Sequence, residues 1–283
     1  MKNIRKLICL IALLISSHTT QSYAEVINVP LTVPSSNEFT FTLTMFWQTA
    51  SPKATLILIP GGAGHIGLRA DMNDLKGQFY QTLKRLSDKE LTKGLINVII
   101  FDNPYDLPPN PSGYPSLRAS EDHLARIASV VEFYKKKTGS PIFLMGHSNG
   151  AVSVTEFLRY SAAHNQNNVI NGLILSSSRN GAHLDDPFKM KTLVAHHEKD
   201  GCAISTTENS ENLYTTIKGL NKSATVFKNL TTGEAESGNP CSSGFHMYNG
   251  AGTEAAKIIE DFILRWSQGS NATRAVNASF GVW

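Results

Sequence analysis

Cysteine is scarce: three occur in 283 residues, and none forms a C-x-x-C pair, the spacing most typical of structural zinc sites. Excess charge of either sign is scarce as well. Of 26 Lys and Arg residues, Lys2, Arg5 and Lys6 lie in the first six positions, so 23 basic residues face 23 acidic ones beyond them. Such a balance gives no support for nucleic-acid binding or for an electrostatically held membrane surface. Internal repeats and low-complexity blocks are missing, and no second apolar run approaches the ~20 residues needed to span a bilayer. A Walker-type phosphate loop is missing too, because no Lys-Ser/Thr follows Gly61-Gly62-Ala63-Gly64. Gly62, Gly64 and Gly67 have dinucleotide-loop spacing, but an acidic partner exists only if Asp88 or Glu90 is forced into that place. No cofactor is therefore expected.

What is present begins with a leader. A basic start over residues 1–6, an apolar run over 7–15 too short for a membrane span, and Ser22-Tyr23-Ala24 before Glu25 form a cleavable signal pattern. Residues 1–24 are expected to be removed and the protein exported, to the periplasm or beyond, with no stable membrane insertion afterwards. Cys9 falls inside the leader without a lipobox-like stretch. Cys202 and Cys241 remain, an even pair in an exported chain, and are expected to form a disulfide. Zinc held with the help of His196, His197 and His246 is the competing use of that pair; no metal site is expected. Residues 25–283 suffice for a single α/β domain, with 268–283 a polar tail that has no account.

Apolar runs predict the element order. Residues 26–33 and 38–47 alternate, with Phe39, Phe41, Leu43 and Met45 set against Thr40, Thr42 and Thr44, as in antiparallel strands at a sheet edge. Residues 54–59, 95–101, 141–145, 169–175, 190–195 and 224–230 read as buried strands. Between them, 119–137, 151–160, 205–218 and 253–266 carry helical spacing, for example Leu124, Ile127, Val130, Val131 and Tyr134. Strands alternating with helices after an antiparallel start imply a mostly parallel sheet.

The stretch with chemistry in it is Gly146-His147-Ser148-Asn149-Gly150, set between a predicted strand and a predicted helix. In that context G-x-S-x-G is a nucleophile elbow: glycines on both sides allow a turn tight enough to hold the Ser148 hydroxyl above the sheet. On this motif and the element order, the chain resembles the α/β-hydrolase superfamily from the end of the leader onward, with no subfamily assigned. The resemblance implies an α/β-hydrolase fold: a mostly parallel central sheet, antiparallel N-terminal strands, helices on both faces. It also implies a serine, acid and histidine in that chain order.

Carried over residue by residue, the nucleophile is Ser148. The acid is expected just past the 190–195 strand, where Asp200 is favoured and Glu198 is the runner-up. The base is His246, the one histidine of nine that lies beyond this acid. Pro60-Gly61-Gly62-Ala63-Gly64 lies where the family has its oxyanion loop, so the amides of Gly62 or Ala63, with that of Asn149, are expected to hold the developing negative charge. Pro60 departs from the histidine that many lipases and esterases have there. His147 is expected to point away from the elbow, and His65 to line the pocket at most. The 102–115 stretch, with five of the twelve prolines, is a candidate pocket wall, and the short 175–190 connection leaves no room for a large lid. The expected activity is hydrolysis of a carboxylic ester or related small acyl compound through an acyl-enzyme. An amidase or peptidase of the same fold, and a non-catalytic binding protein, are the alternatives; the oligomeric state is open.

Overall fold

The computed structural model describes residues 24–267 apart from 73, 76, 89–90, 104–113, 167–168 and 222. The expected leader, except for its last residue, the 268–283 tail and most of the proline-rich stretch lie outside the described residues.

Eight strands form one sheet: β1 Ala24–Thr32, β2 Phe39–Trp47, β3 Ala54–Ile59, β4 Ile96–Phe101, β5 Ile142–His147, β6 Gly172–Ser176, β7 Lys191–His197 and β8 Thr225–Leu230. Their order is β1-β2-β4-β3-β5-β6-β7-β8. β1 pairs antiparallel with β2 and β2 antiparallel with β4, while every later pairing is parallel. β1 and β8 are the edges; β2, expected at the edge together with β1, is flanked on both sides.

The continuous apolar runs are explained by two cores, one on each face. Leu56 and Leu58 of β3, Val98 and Ile100 of β4, and Phe143 and Met145 of β5 enter one core. Ile57 and Ile59, Ile99 and Phe101, and Ile142 and Leu144 enter the other. A period of two with both faces buried leaves no solvent-facing position in these strands, and the polar residues they do carry, Thr55 and Asn97, are buried and hydrogen-bonded to each other. Helices α1 Gln78–Arg85 and α6 Gly252–Ser267 cover the first face with Phe79, Leu83, Ile259 and Ile263. On the second face, α3 Glu121–Thr138, α4 Asn149–Ala163 and α5 Thr207–Leu220 contribute Ile127, Val130, Val154, Phe157, Leu213 and Ile217. A short helix, α2 Tyr114–Arg118, precedes α3.

Local chemistry sets the boundaries. α3 starts at Glu121 rather than 119 because the Ser120 side chain accepts the His123 N–H as an N-cap, and it stops at Gly139, whose φ of 63° a glycine adopts without strain. α1 leaves little trace in the sequence: it is a polar segment with Phe79 and Leu83 as its buried apolar anchors, four residues apart. No described helix is long and apolar enough to cross a membrane.

Candidate active site

β5 runs directly into α4, and the single residue between them, Ser148, carries the whole turn at φ 52° and ψ −118°. That conformation is strained for a residue with a side chain and persists only where its surroundings hold it. Here the Ser148 N–H donates to Ser176 O at 2.9 Å, and the Ser148 carbonyl accepts from Ala151 and Arg179. The flanking glycines are required by close approach. A Cβ on Gly146 would stand 2.2 Å from Gly150 O, and one on Gly150 would stand 2.0 Å from Ile59 O. Ser148 thus sits over the N-terminus of α4, where first-turn N–H groups lack helical partners.

Asp200 follows the end of β7, its N–H donating to His197 O at 3.0 Å. Its carboxyl is fully buried, with Oδ1 accepting the Cys202 N–H at 2.9 Å and Oδ2 accepting His246 Nδ1 at 2.7 Å. The same Oδ2 lies 3.0 Å from His196 Nε2, in ion-pair geometry rather than a well-aligned hydrogen bond. Burial pushes the Asp200 carboxyl up, but the close approach of His196 and the hydrogen bond from His246 outweigh it and hold the group well below the usual carboxylate range. Glu198 is exposed, 4.0 Å from Lys199. Of the two acids weighed from sequence, Asp200 is the one brought to His246.

His246 lies on a 3₁₀ turn, Gly244–Met247, after β8. The turn is braced by His197, whose ring stacks on Phe245 at 4.4 Å while its Nε2 donates to Thr232 O. With Nδ1 donating to Asp200, His246 Nε2 is left as the acceptor nitrogen, buried and without a partner. Ser148 and His246 line one cleft of about 190 Å³, together with Gly62, Phe79, Tyr80 and Met247. Cys202 and Cys241 are joined in a disulfide, and Cys241 also lines this cleft. Both sulfurs are therefore unavailable to zinc as thiolates.

The amides of Gly62 and Ala63 have no acceptor among the described residues, nor does the first-turn amide of Asn149. The Asn149 side chain does something the motif did not indicate: its Nδ2 donates to Gly62 O at 3.0 Å, tying the glycine loop to the elbow. Two expectations need correction. His147, expected to point away, lines the cleft with its ring 5.1 Å from that of His246 and 4.1 Å from Phe79. It follows β5 geometry, and its Nδ1 meets the Ser176 hydroxyl at 3.1 Å. His65 is not among the described residues that line this cleft; its Nδ1 lies 2.8 Å from Asn103 O. Asp102, counted with the pocket wall, instead accepts the N–H groups of Ile66 and Leu68, which closes the turn after the glycine loop.

Sequence comparison places the chain nowhere: no family model matches it, and no curated protein does. Solved structures do resemble it. Brefeldin A esterase, a bacterial homologue of human hormone sensitive lipase, has a TM-score of 0.56 at 12% identity, covering 90% of this chain and 80% of its own. An esterase from Pyrococcus furiosus has a TM-score of 0.52 at 13% identity, covering 86% and 93%. Dienelactone hydrolase from Anabaena variabilis has a TM-score of 0.52 at 11% identity, covering 86% and 98%. At these identities the likeness is one of architecture, and it agrees with the strand order and connectivity described above: the chain has the α/β-hydrolase fold.

Proposed function

We propose that the chain is an exported serine hydrolase that cleaves small carboxylic esters, with Ser148 as nucleophile, His246 as base and Asp200 as the acid that orients it. The observation that supports this most is the tautomer of His246. Its Nδ1–H is committed to a buried carboxylate, so Nε2 keeps its lone pair in the cleft that Ser148 also lines.

In this reading Nε2 takes the Ser148 proton as Oγ attacks the ester carbonyl, and the carbonyl π pair moves onto oxygen. The amides of Gly62 or Ala63, with that of Asn149, hold that oxyanion. Collapse of the intermediate expels the alcohol, which leaves with the proton from Nε2. Water, deprotonated by the same nitrogen, then attacks the acyl-enzyme and returns Ser148 with release of the acid. Phe79, Tyr80 and Met247 give the small cleft an apolar side, which suits short acyl groups. The leader pattern and the Cys202–Cys241 bond both support an oxidising destination.

The test is covalent labelling with a fluorophosphonate, followed by assay on acyl esters of graded chain length and their matched amides. Ser148 should be the labelled residue, and Ser148→Ala should lose on the order of 10⁶ in kcat. Labelling that persists in Ser148→Ala removes the nucleophile; faster turnover of amides replaces the ester reading with an amidase.

A further inference from the structure

Arg118 closes α2 and is 1% exposed. Its Nη2 lies 2.7 Å from Pro60 O, 3.2 Å from Gly61 O and 2.9 Å from Gly62 O. Its Nη1 donates to Ser153 Oγ on α4 at 3.2 Å, and the Ser153 hydroxyl meets His123 Nε2 at 2.8 Å. Burial, and then the Arg118 charge, keep His123 well below the ordinary histidine value. Neutral His123 accepts the Ser153 proton, so Ser153 Oγ is free to accept from the guanidinium.

We propose that Arg118 is a positioning residue that holds the glycine loop 60–64 with its amides turned toward the Ser148 cleft, so that the oxyanion site exists before substrate arrives. The proposal rests on the hydrolase reading above. Its physical basis is the planar trans peptide, in which the C=O of one residue and the N–H of the next point in opposite directions. Gathering the carbonyls of Pro60, Gly61 and Gly62 around one cation therefore turns the N–H groups of Gly61, Gly62 and Ala63 away from it. Converging carbonyl dipoles repel one another, and a guanidinium supplies the compensating charge with several donors in one plane. Two side chains reinforce the arrangement: Asn149 Nδ2 on Gly62 O, and Asn103 Nδ2 on Ala63 O at 2.8 Å.

The glycines of the loop then have two separate reasons. A Cβ on Gly64 would stand 2.6 Å from Arg118 Nη2 and 2.3 Å from Asn103 Nδ2, so Gly64 makes room for the groups that orient the loop. One on Gly61 would stand 2.9 Å from Ser148 Cβ, so Gly61 lets the loop lie against the nucleophile. At Gly62, with φ 56°, a Cβ would meet nothing, which leaves its open side for a ligand.

The experiment compares wild type with Arg118→Lys, which keeps a charge but loses the fan of donors. Folding is checked by circular dichroism and Tm. Three quantities are then measured: kcat and KM on the best ester, Ki for the corresponding trifluoromethyl ketone, and Ki for the planar carboxylate product. The ketone forms a tetrahedral adduct with an oxyanion, so it reports the site directly. Misplaced donors should lower kcat by roughly 10- to 100-fold with KM little changed. Ki for the ketone should rise by the same factor as kcat/KM falls, while Ki for the product stays put. A cation that only stabilises the fold would lower Tm without separating the two inhibitors, and that result overturns the proposal. If Arg118→Lys does not fold, Ser153→Ala carries the test by withdrawing the Nη1 acceptor: it must show the same matched losses at smaller size, and equal Ki values to wild type overturn the proposal. Wild-type protein that neither labels at Ser148 nor turns over any ester instead removes the hydrolase reading, and this role with it.

Discussion

Cys202 holds Asp200 directly and its loop indirectly: the Cys202 N–H donates to Asp200 Oδ1 at 2.9 Å, and its sulfur ties the loop carrying that acid to Cys241 on the wall of the Ser148 cleft. The disulfide closes 39 residues, between the two loops that carry Asp200 and His246. The chain-entropy model gives roughly 4 kcal/mol for a loop of that size, an upper figure because native strain subtracts from it.

A Cys202→Ser, Cys241→Ser double variant is therefore expected to lower both Tm and kcat/KM. Thermal denaturation followed by circular dichroism, and ester kinetics well below the new Tm, read the two effects apart. An unchanged kcat/KM would leave a bond that stabilises the fold without positioning acid against base.

Asp200→Asn should cost about 10⁴ in kcat, because an amide in place of the carboxylate no longer holds His246 with its proton on Nδ1. Glu198→Gln should do little, since that side chain is exposed against Lys199. Steady-state kinetics of the two variants side by side are the check, and the reverse ranking would transfer the role. His196→Phe withdraws the second imidazole from Asp200 Oδ2 and should reduce kcat while leaving KM nearly alone, provided the variant retains wild-type Tm within a few degrees.

Stability should fall as pH drops below the ordinary histidine value. Burial holds His123 and His147 well below it; the Arg118 charge adds to this at His123, and His246 does so at His147. Both folded-state pKa values are depressed, so the unfolded chain takes up protons near pH 6.5 that the folded chain refuses. The contribution is complete above about pH 6.5 and is lost as pH falls toward the folded values, each histidine giving a limiting slope of about 1.4 kcal/mol per pH unit. Urea unfolding at pH 7.5 and 5.5 measures it, and His123→Gln should remove about half of the dependence on these two groups. Asp200 acts with the same sign but only below about pH 4, where its unfolded form titrates. Equal stability at both pH values would show that the two rings are solvated.

The sequence by itself determined the elements whose signal is local. Runs such as 54–59 and 95–101, apolar at nearly every position, read as strands buried on both faces, and Gly146 and Gly150 around Ser148 announce a tight turn. The family resemblance then offered Asp200, with Glu198 as runner-up, and His246, while the leader, by taking Cys9, left Cys202 and Cys241 as a pair.

Tertiary structure decided what depends on direction rather than order. Asp200 and Glu198 are two residues apart in the same loop; one carboxyl is fully buried against His246 and the other exposed, a difference set by how β7 ends. α1 stayed hidden because two apolar anchors make too weak a pattern, and His147 reached the cleft because strand geometry, not its neighbour's motif, sets where its ring goes. The gathering of three carbonyls by Arg118 left no trace at all in the spacing. Fifty-odd residues separate that side chain from the loop it holds, and a hydrogen bond to a backbone oxygen asks nothing of the residue type that carries it.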